Sequence, residues 1–438
     1  MVPTENIKRH LTEPVSAASL VVYRSIFSIC MFIGVLRQFY YGWIEEFYVQ
    51  PSFFFSYPGF SWLSPGPSWF MFTAFALMAL ASLAMAVGFR TRLFAIIFFL
   101  LFTYTELIDK TTYLNHYYLV SILALFFILV PLQDSFRGAV NGKIQRFWLY
   151  GFRAQVGVVY FFAGVAKLNY DWLVLAQPLS IWLKASTDLA VIGPLLGYKE
   201  TAYFASWAGA AFDLSIPFLL CFKRTRLIGF SCIVFFHFVT GALFNLGLFP
   251  YLMMVNATLF FSPAWPRWIL DKLRLAARTS RPSKLKPIPR AILVFFTLHF
   301  IIQCLLPLRH HLYQGNHLWT EQGFRFSWMV MLIEKAGMVR YELTYDDGSY
   351  EMIYPSEYLT KVQSKMMSTQ ADMIVQFAHH LRDRNSQPSK QVTKVTADAV
   401  VALNGRRSQK MFDPDLNLLD VPISDAGLFV LPLKNPRP

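Results

Sequence analysis

The chain has 438 residues, 55% of them hydrophobic and only 15% charged, with 43 phenylalanines and a formal net charge of +14. Soluble domains carry about 25% charged residues and keep exposed apolar patches small, so a purely water-soluble fold is excluded. No nucleic-acid recognition motif accompanies the positive charge, and no CxxC pair accompanies Cys30, Cys221, Cys232 and Cys304, all of which lie in apolar runs; this argues against nucleic-acid binding, a disulfide framework and a thiolate metal site.

A polar start, MVPTENIKRHLTEP, leads into an apolar run too long for the core of a signal peptide, which reads as a retained first span. Runs near the ~20 residues that a membrane crossing needs fall at about 16–37, 67–88, 92–109, 116–132, 150–168, 200–222, 226–246, 248–262 and 289–307, nine in all, with the fourth and eighth short; only Leu246-Gly247-Leu248-Phe249-Pro250 separates the eighth from the seventh, which leaves eight as the alternative. Lys8 and Arg9 precede the first; Arg90 and Arg92 follow the second; Arg137, Lys143 and Arg146 the fourth; Lys223, Arg224 and Arg226 the sixth; eight Lys/Arg between Arg267 and Arg290 the eighth. Basic loops therefore alternate with non-basic ones, which predicts a cytoplasmic N-terminus and, with nine crossings, an extracytoplasmic C-terminal domain. From residue 308 the pattern changes. Val339–Asp346 and Tyr350–Tyr354 alternate about the turn Asp347-Gly348 and predict a β-hairpin; a helical stretch over 356–384 follows, and a strand over 391–402 closes at Asn404-Gly405. The expected fold is an all-α polytopic bundle of about nine transmembrane helices over 1–307, followed by a small α+β extramembrane domain over 308–438.

Ionisable groups inside spans are expensive and point to function. Lys167, Asp213 and His237 stand out, while Arg24 and Arg153 lie nearer span ends and read as snorkelling or interhelical pairs. Helical spacing puts Arg153, Gly157, Tyr160, Gly164 and Lys167 on one face, and its two glycines allow a neighbouring helix to approach closely. Lys167 then points into the bundle, where a desolvated amine can serve as a general base; alternatively it snorkels outward or pairs with Asp171. Asn115 and His116 open the fourth span at a depth similar to Lys167, His116 being open to reading as part of an interfacial aromatic belt. HExxH, G-x-S-x-G and P-loop motifs are absent, and the doublets His310-His311 and His379-His380 read as surface residues.

The run Val159-Tyr-Phe-Phe-Ala-Gly-Val-Ala-Lys-Leu-Asn-Tyr-Asp-Trp172 resembles the signature span of the vitamin K-dependent gamma-carboxylase family and its bacterial homologues, whose membrane domain is of the HTTM type. The likeness extends to Asp109-Lys110-Thr111 with Asn115-His116, to Phe236-His237, Asn245, Gly247 and Phe261–Pro266, and in the tail to Gln314-Gly315, Trp319-Thr320, Phe326-Ser327-Trp328 and Phe412-Asp413-Pro414, in colinear order over nearly the whole chain. The resemblance implies a carboxylase that is also an epoxidase. Vitamin K hydroquinone is deprotonated by a lysine at the position of Lys167, O2 adds to give a strong base, that base takes the γ-proton of a peptidyl glutamate, and the carbanion captures CO2 while the quinol leaves as its epoxide. The same resemblance gives His116 an assisting catalytic role and makes Asn115, Tyr160, His237 and Trp319 quinol- or substrate-binding residues, with no metal. The implied partners are membrane lipid, quinol and a glutamate-containing peptide or secreted protein, in a bacterial cytoplasmic or endoplasmic reticulum membrane. Ala166 replaces a second lysine common in eukaryotic members, Asn316 replaces a tyrosine, and the lumenal part is short. Two other readings stand beside this one: a quinol epoxidase without protein carboxylation, and a non-catalytic lipid- or quinone-binding membrane protein.

Overall fold

The computed structural model describes residues 3–132, 134–274 and 285–434. Its N-terminal part is a bundle of helices: α1 (Ala18–Tyr40), α2 (Ser68–Val87), α3 (Thr91–Ile108), α4 (Asn115–Leu129), α5 (Arg146–Ala166), α6 (Lys199–Cys221), α7 (Arg226–Leu243), α8 (Phe249–Thr258) and α9 (Arg290–Leu305). Seven of these are long and apolar enough to cross a membrane among the described residues; α4 has 15 residues and α8 has 10. At 1.5 Å per residue α8 rises only ~15 Å, about half the hydrocarbon thickness. Both short helices fall on the two short apolar runs.

The ends of the bundle differ in composition. At one end the N-terminal strand β1 (Pro14–Ser16) pairs antiparallel with β2 (Lys143–Gln145), Ser19 N–H donates to Pro263 O (3.0 Å), and Thr91 N–H donates to Asp134 Oδ1 (2.8 Å). The basic loops collect here. At the other end Lys110, Asn115 and Asp171 bond to the C-terminal region. The N-terminal strand and the C-terminal region thus lie at opposite ends of the bundle.

Helix α5 is central, 56% buried over its apolar window, whereas α7 and the α9 segment are 17% buried and turn most of their surface outward. Aromatic rings fill the space around α5, with Phe127 and Phe152 centroids 5.1 Å apart and Phe126 and Phe296 4.8 Å apart. Between helices already in lipid the hydrophobic term vanishes, so close packing and hydrogen bonds hold such a bundle. Tyr23 donates to Asn256 Oδ1 (2.6 Å), and Arg153 donates to the carbonyls of Leu259 and Phe261 (2.7 and 2.9 Å) just past the end of α8. Arg153 is therefore an interhelical donor to backbone rather than a snorkelling side chain.

The C-terminal region carries an antiparallel sheet of order β4–β3–β5–β6, formed by β3 (Lys335–Tyr345), β4 (Tyr350–Ile353), β5 (Val392–Leu403) and β6 (Gln409–Lys410). Alternation buries Val339, Tyr341, Leu343 and Tyr345 on one face of β3. The stretch expected as one helix is two, α10 (Lys361–Met367) and α11 (Ala371–Asn385). Between them Ser368 and Thr369 turn their hydroxyls back onto the carbonyls of Lys365 and Met366 (2.9 and 3.2 Å), a local competition that interrupts helices. Thr360 and Gln363 form a capping box at the start of α10, and the same Gln363 side chain donates to Phe53 O (2.7 Å) and Asp109 Oδ2 (2.8 Å) of the bundle. The apolar core of this region is continuous with the bundle: Phe55, Trp172, Leu179 and Leu183 pack in one cluster with Met373, Phe377 and Leu381.

Ion pairs tie the seam. Asp372 meets Lys110 (2.7 Å) and Arg325 (2.9 Å), and Asp171 meets Arg406 (2.5 Å) and the Asn404 amide (2.8 Å). Burial alone raises the Asp372 carboxyl, but Arg325 and Lys110 outweigh it and hold the group below the usual carboxylate range. His380 stacks on Phe53 at the same seam, centroids 4.2 Å apart, rather than standing free on the surface.

Candidate functional site

The face of α5 read from spacing lies against α6, α7 and α8. At Gly164 an added Cβ would come within 2.8 Å of Leu214 N, so only glycine lets the α6 backbone approach this closely. That approach brings Asp213 to Lys167, which is the C-cap of α5. Lys167 Nζ donates to Asp213 Oδ2 (2.7 Å) and to Ala163 O (3.3 Å), and both residues of the pair are 5% exposed. The Trp172 ring lies beside the amine, 5.1 Å from its centroid. Asp171, the alternative partner, is occupied by Arg406 and Asn404. The amine and carboxyl form an enclosed ion pair between α5 and α6.

Two turns back on α5, the Tyr160 hydroxyl and His237 Nε2 are 2.9 Å apart. His237 is 4% exposed and its Nδ1 is buried without a partner among the described residues. Its ring stands 6.0 Å from the Phe249 ring, and Phe249 stands 5.3 Å from the ring of His116. The His116 imidazole makes no hydrogen bond among the described residues, and it lines a cavity of about 550 Å³ with Arg37, Tyr117, Asn245 and Phe249. The loop before α8 closes this cavity: Gly247 has φ of +58°, and a Cβ there would come within 3.0 Å of the Arg37 guanidinium.

The structure therefore brings Lys167, Tyr160 and His237 onto one side of α5 and sets His116 beyond Phe249, with Lys167 outside the wall of the His116 cavity. Asn115 is turned away from this row: it donates to Met329 O (2.8 Å) and accepts from the Tyr113 hydroxyl (2.9 Å), joining α4 to the C-terminal region. Trp319 is in the core of that region, 1% exposed, its indole N–H on Leu431 O (2.9 Å). Sequence reasoning marked Asp213 as costly in a span but gave it no partner, because the contact is made between helices. Glu106, which lines the same cavity as His116, went unremarked; its signal was a carboxylate inside an apolar run, masked by Asp109 and Lys110 close behind it. Among the described residues no group of three or more His, Cys, Asp or Glu is arranged to hold a metal.

Two family models match the chain in succession: the HTTM domain over residues 12–265, and the vitamin K-dependent gamma-carboxylase lumenal domain over residues 288–435. The chain belongs to the vitamin K-dependent gamma-carboxylase family. It is a multi-pass membrane protein of that type. Lys167, Asp213, Tyr160, His237 and His116 all fall within the HTTM match, and Trp319 falls within the lumenal-domain match. No solved structure matches it.

Proposed function

We propose that the chain is a vitamin K hydroquinone-dependent gamma-glutamyl carboxylase and epoxidase. The observation that carries the reading is the buried Lys167–Asp213 couple on α5, in a chain that matches both the membrane and lumenal models of the family. Lys167 is the base that takes the first quinol proton, and Asp213 orients the amine and can hold the proton it accepts. The Tyr160–His237 hydrogen bond and the His116 cavity provide the binding surface, and an enclosed apolar chamber keeps water from a strong base. A cavity of about 550 Å³ lies within the range of small-molecule sites and can take part of the quinol's tail, with the ring directed past Phe249 toward Lys167. When bound, the quinol supplies, through O2, a base stronger than any side chain; CO2 is the group added. In this reading Asn115 and Trp319 act on the peptide side, Asn115 by fixing the C-terminal region against the bundle and Trp319 by holding the core of that region together.

The basic end of the bundle faces the cytoplasm and the C-terminal domain, 308–438, faces outward, where a glutamate-bearing peptide or secreted protein arrives while quinol comes from the lipid. The test is to incubate membranes holding the full chain with vitamin K hydroquinone, O2, isotope-labelled CO2 and a glutamate peptide. Epoxide and labelled γ-carboxyglutamate are both expected. Epoxide without label would leave the epoxidase alone, and neither product would end the proposal.

A further inference from the structure

The cavity lined by His116 changes character along its length. Met31, Phe75, Met78 and Phe98 line it from the middle of their helices, an apolar stretch that suits the quinol's tail. Toward the C-terminal region, where α1 ends and α4 begins, its wall carries Arg37, His116 and Asn245. Arg37, in the last turn of α1, is the one Lys or Arg on that wall among the described residues, and its guanidinium makes no hydrogen bond and no ion pair among them. Aromatic faces hold it instead: Arg37 Cζ stands 5.7 Å from the centroid of Tyr41 and 5.5 Å from that of Trp43. The missing Cβ of Gly247 leaves the head room beside the loop before α8. Lys167, by contrast, lies outside this wall and is committed to Asp213 at 2.7 Å.

A guanidinium is a planar fork of donors with no acceptor, and a carboxylate is the group it fits in two parallel bonds. The proposed reaction brings such a group into a water-poor chamber. The γ-C–H bond breaks, its proton passes to the quinol-derived base, and the electron pair left on carbon forms the bond to CO2. The product then carries two carboxylates on one carbon. Negative charge grows at the substrate where little water is present to solvate it, and a cation held in place beforehand offsets that cost. We infer that the Arg37 guanidinium receives the side-chain carboxylate of the substrate glutamate, presenting its γ-carbon between Arg37 and His116. Phe249, past which the quinol ring reaches toward Lys167, lines the same end of the cavity. Glu106, on the α3 wall, is itself a carboxyl and offers no cation, so the acidic side chain is directed to α1. This rests on the proposed function for its substrate class and adds the residue that anchors the substrate.

The test uses the full chain in detergent micelles and titrates two short peptides by calorimetry, identical except that one holds glutamate where the other holds glutamine. Parallel incubations with vitamin K hydroquinone, O2 and labelled CO2 report γ-carboxyglutamate. The wild type is expected to bind the glutamate peptide at least ~10-fold tighter than the glutamine peptide, the worth of a charge-assisted hydrogen bond. Arg37→Gln is expected to weaken the glutamate peptide by ~10-fold and to leave the glutamine peptide within about threefold, which abolishes the discrimination. Arg37→Lys keeps the charge without the fork and retains part of it. Equal weakening of both peptides, or of neither, makes Arg37 structural or idle and overturns the inference, while labelled product from the wild type keeps the proposed function. A wild type that discriminates the peptides through Arg37 but forms no label overturns the proposed function alone. One that binds neither peptide and forms no label overturns both.

Discussion

Two ion pairs of the same 2.7 Å length, the buried Lys167–Asp213 inside the bundle and the half-buried Lys110–Asp372 at its seam with the C-terminal region, are built in opposite ways. At the seam the carboxylate is shared by two cations, since Arg325 joins at 2.9 Å, and Asp109 nearby is saturated by Thr111 and Gln363. In the bundle the carboxylate has one cation, and the groups around it keep unused valences: His237 Nδ1 has no partner, and the His116 imidazole has no hydrogen bond among the described residues. A fully partnered network fixes geometry, whereas a pair with spare partners nearby leaves a proton and a binding position in play. Equal distance therefore does not mean equal role.

Substitutions at the two pairs put that contrast to trial. Lys167→Ala should lower quinol epoxidation by about 10²–10⁴-fold, measured as epoxide yield in membranes, and should lower the thermal midpoint because it leaves Asp213 without its cation; a folded variant with full epoxide yield would remove Lys167 as the base. Asp372→Asn leaves Lys110 and Arg325 with an uncharged partner and should cost about 3–5 kcal/mol of docking stability, seen as protease sensitivity of residues beyond 308 while the bundle stays intact. Gly164→Ala sets a methyl against the α6 backbone and should cost about 1–3 kcal/mol, with epoxide yield falling together with stability, since it separates Asp213 from Lys167. The smallest effect concerns acid. The native Asp372 carboxyl lies below its ordinary value, so its contribution is fully present above the unfolded value of about 3.9 and is lost only as pH falls through the lower native value. Docking followed by limited proteolysis should thus be flat from pH 8 to about pH 4 in the wild type, and a midpoint near pH 5 would contradict the shared-cation description.

Much of the architecture was legible because it rests on local rules. Apolar run length marked the helices, the Asp347-Gly348 turn marked the β3–β4 hairpin, and the period of α5 marked the face carrying Tyr160, Gly164 and Lys167. What the residues could not declare was partnership. Asp213 lies in another helix and Arg406 lies in the sheet region, and nothing local in either predicts that the first takes Lys167 and the second takes Asp171. The break between α10 and α11 was missed because Ser368 and Thr369 are tolerated in helices unless their hydroxyls turn back on the chain. Asn115 was legible as a site neighbour from its place beside His116, but its side chain is turned toward Met329.

The single apolar core that Phe55, Trp172 and Leu183 share with Phe377 and Leu381 bears on how the protein is made. Phe55 and Trp172 emerge from the ribosome long before the segment that covers them. During synthesis the inserted helices carry an open apolar floor at one end until the last third of the chain covers it. A C-terminal fragment made alone would lack that floor, and the helices made alone would offer it to a chaperone or to a second nascent chain.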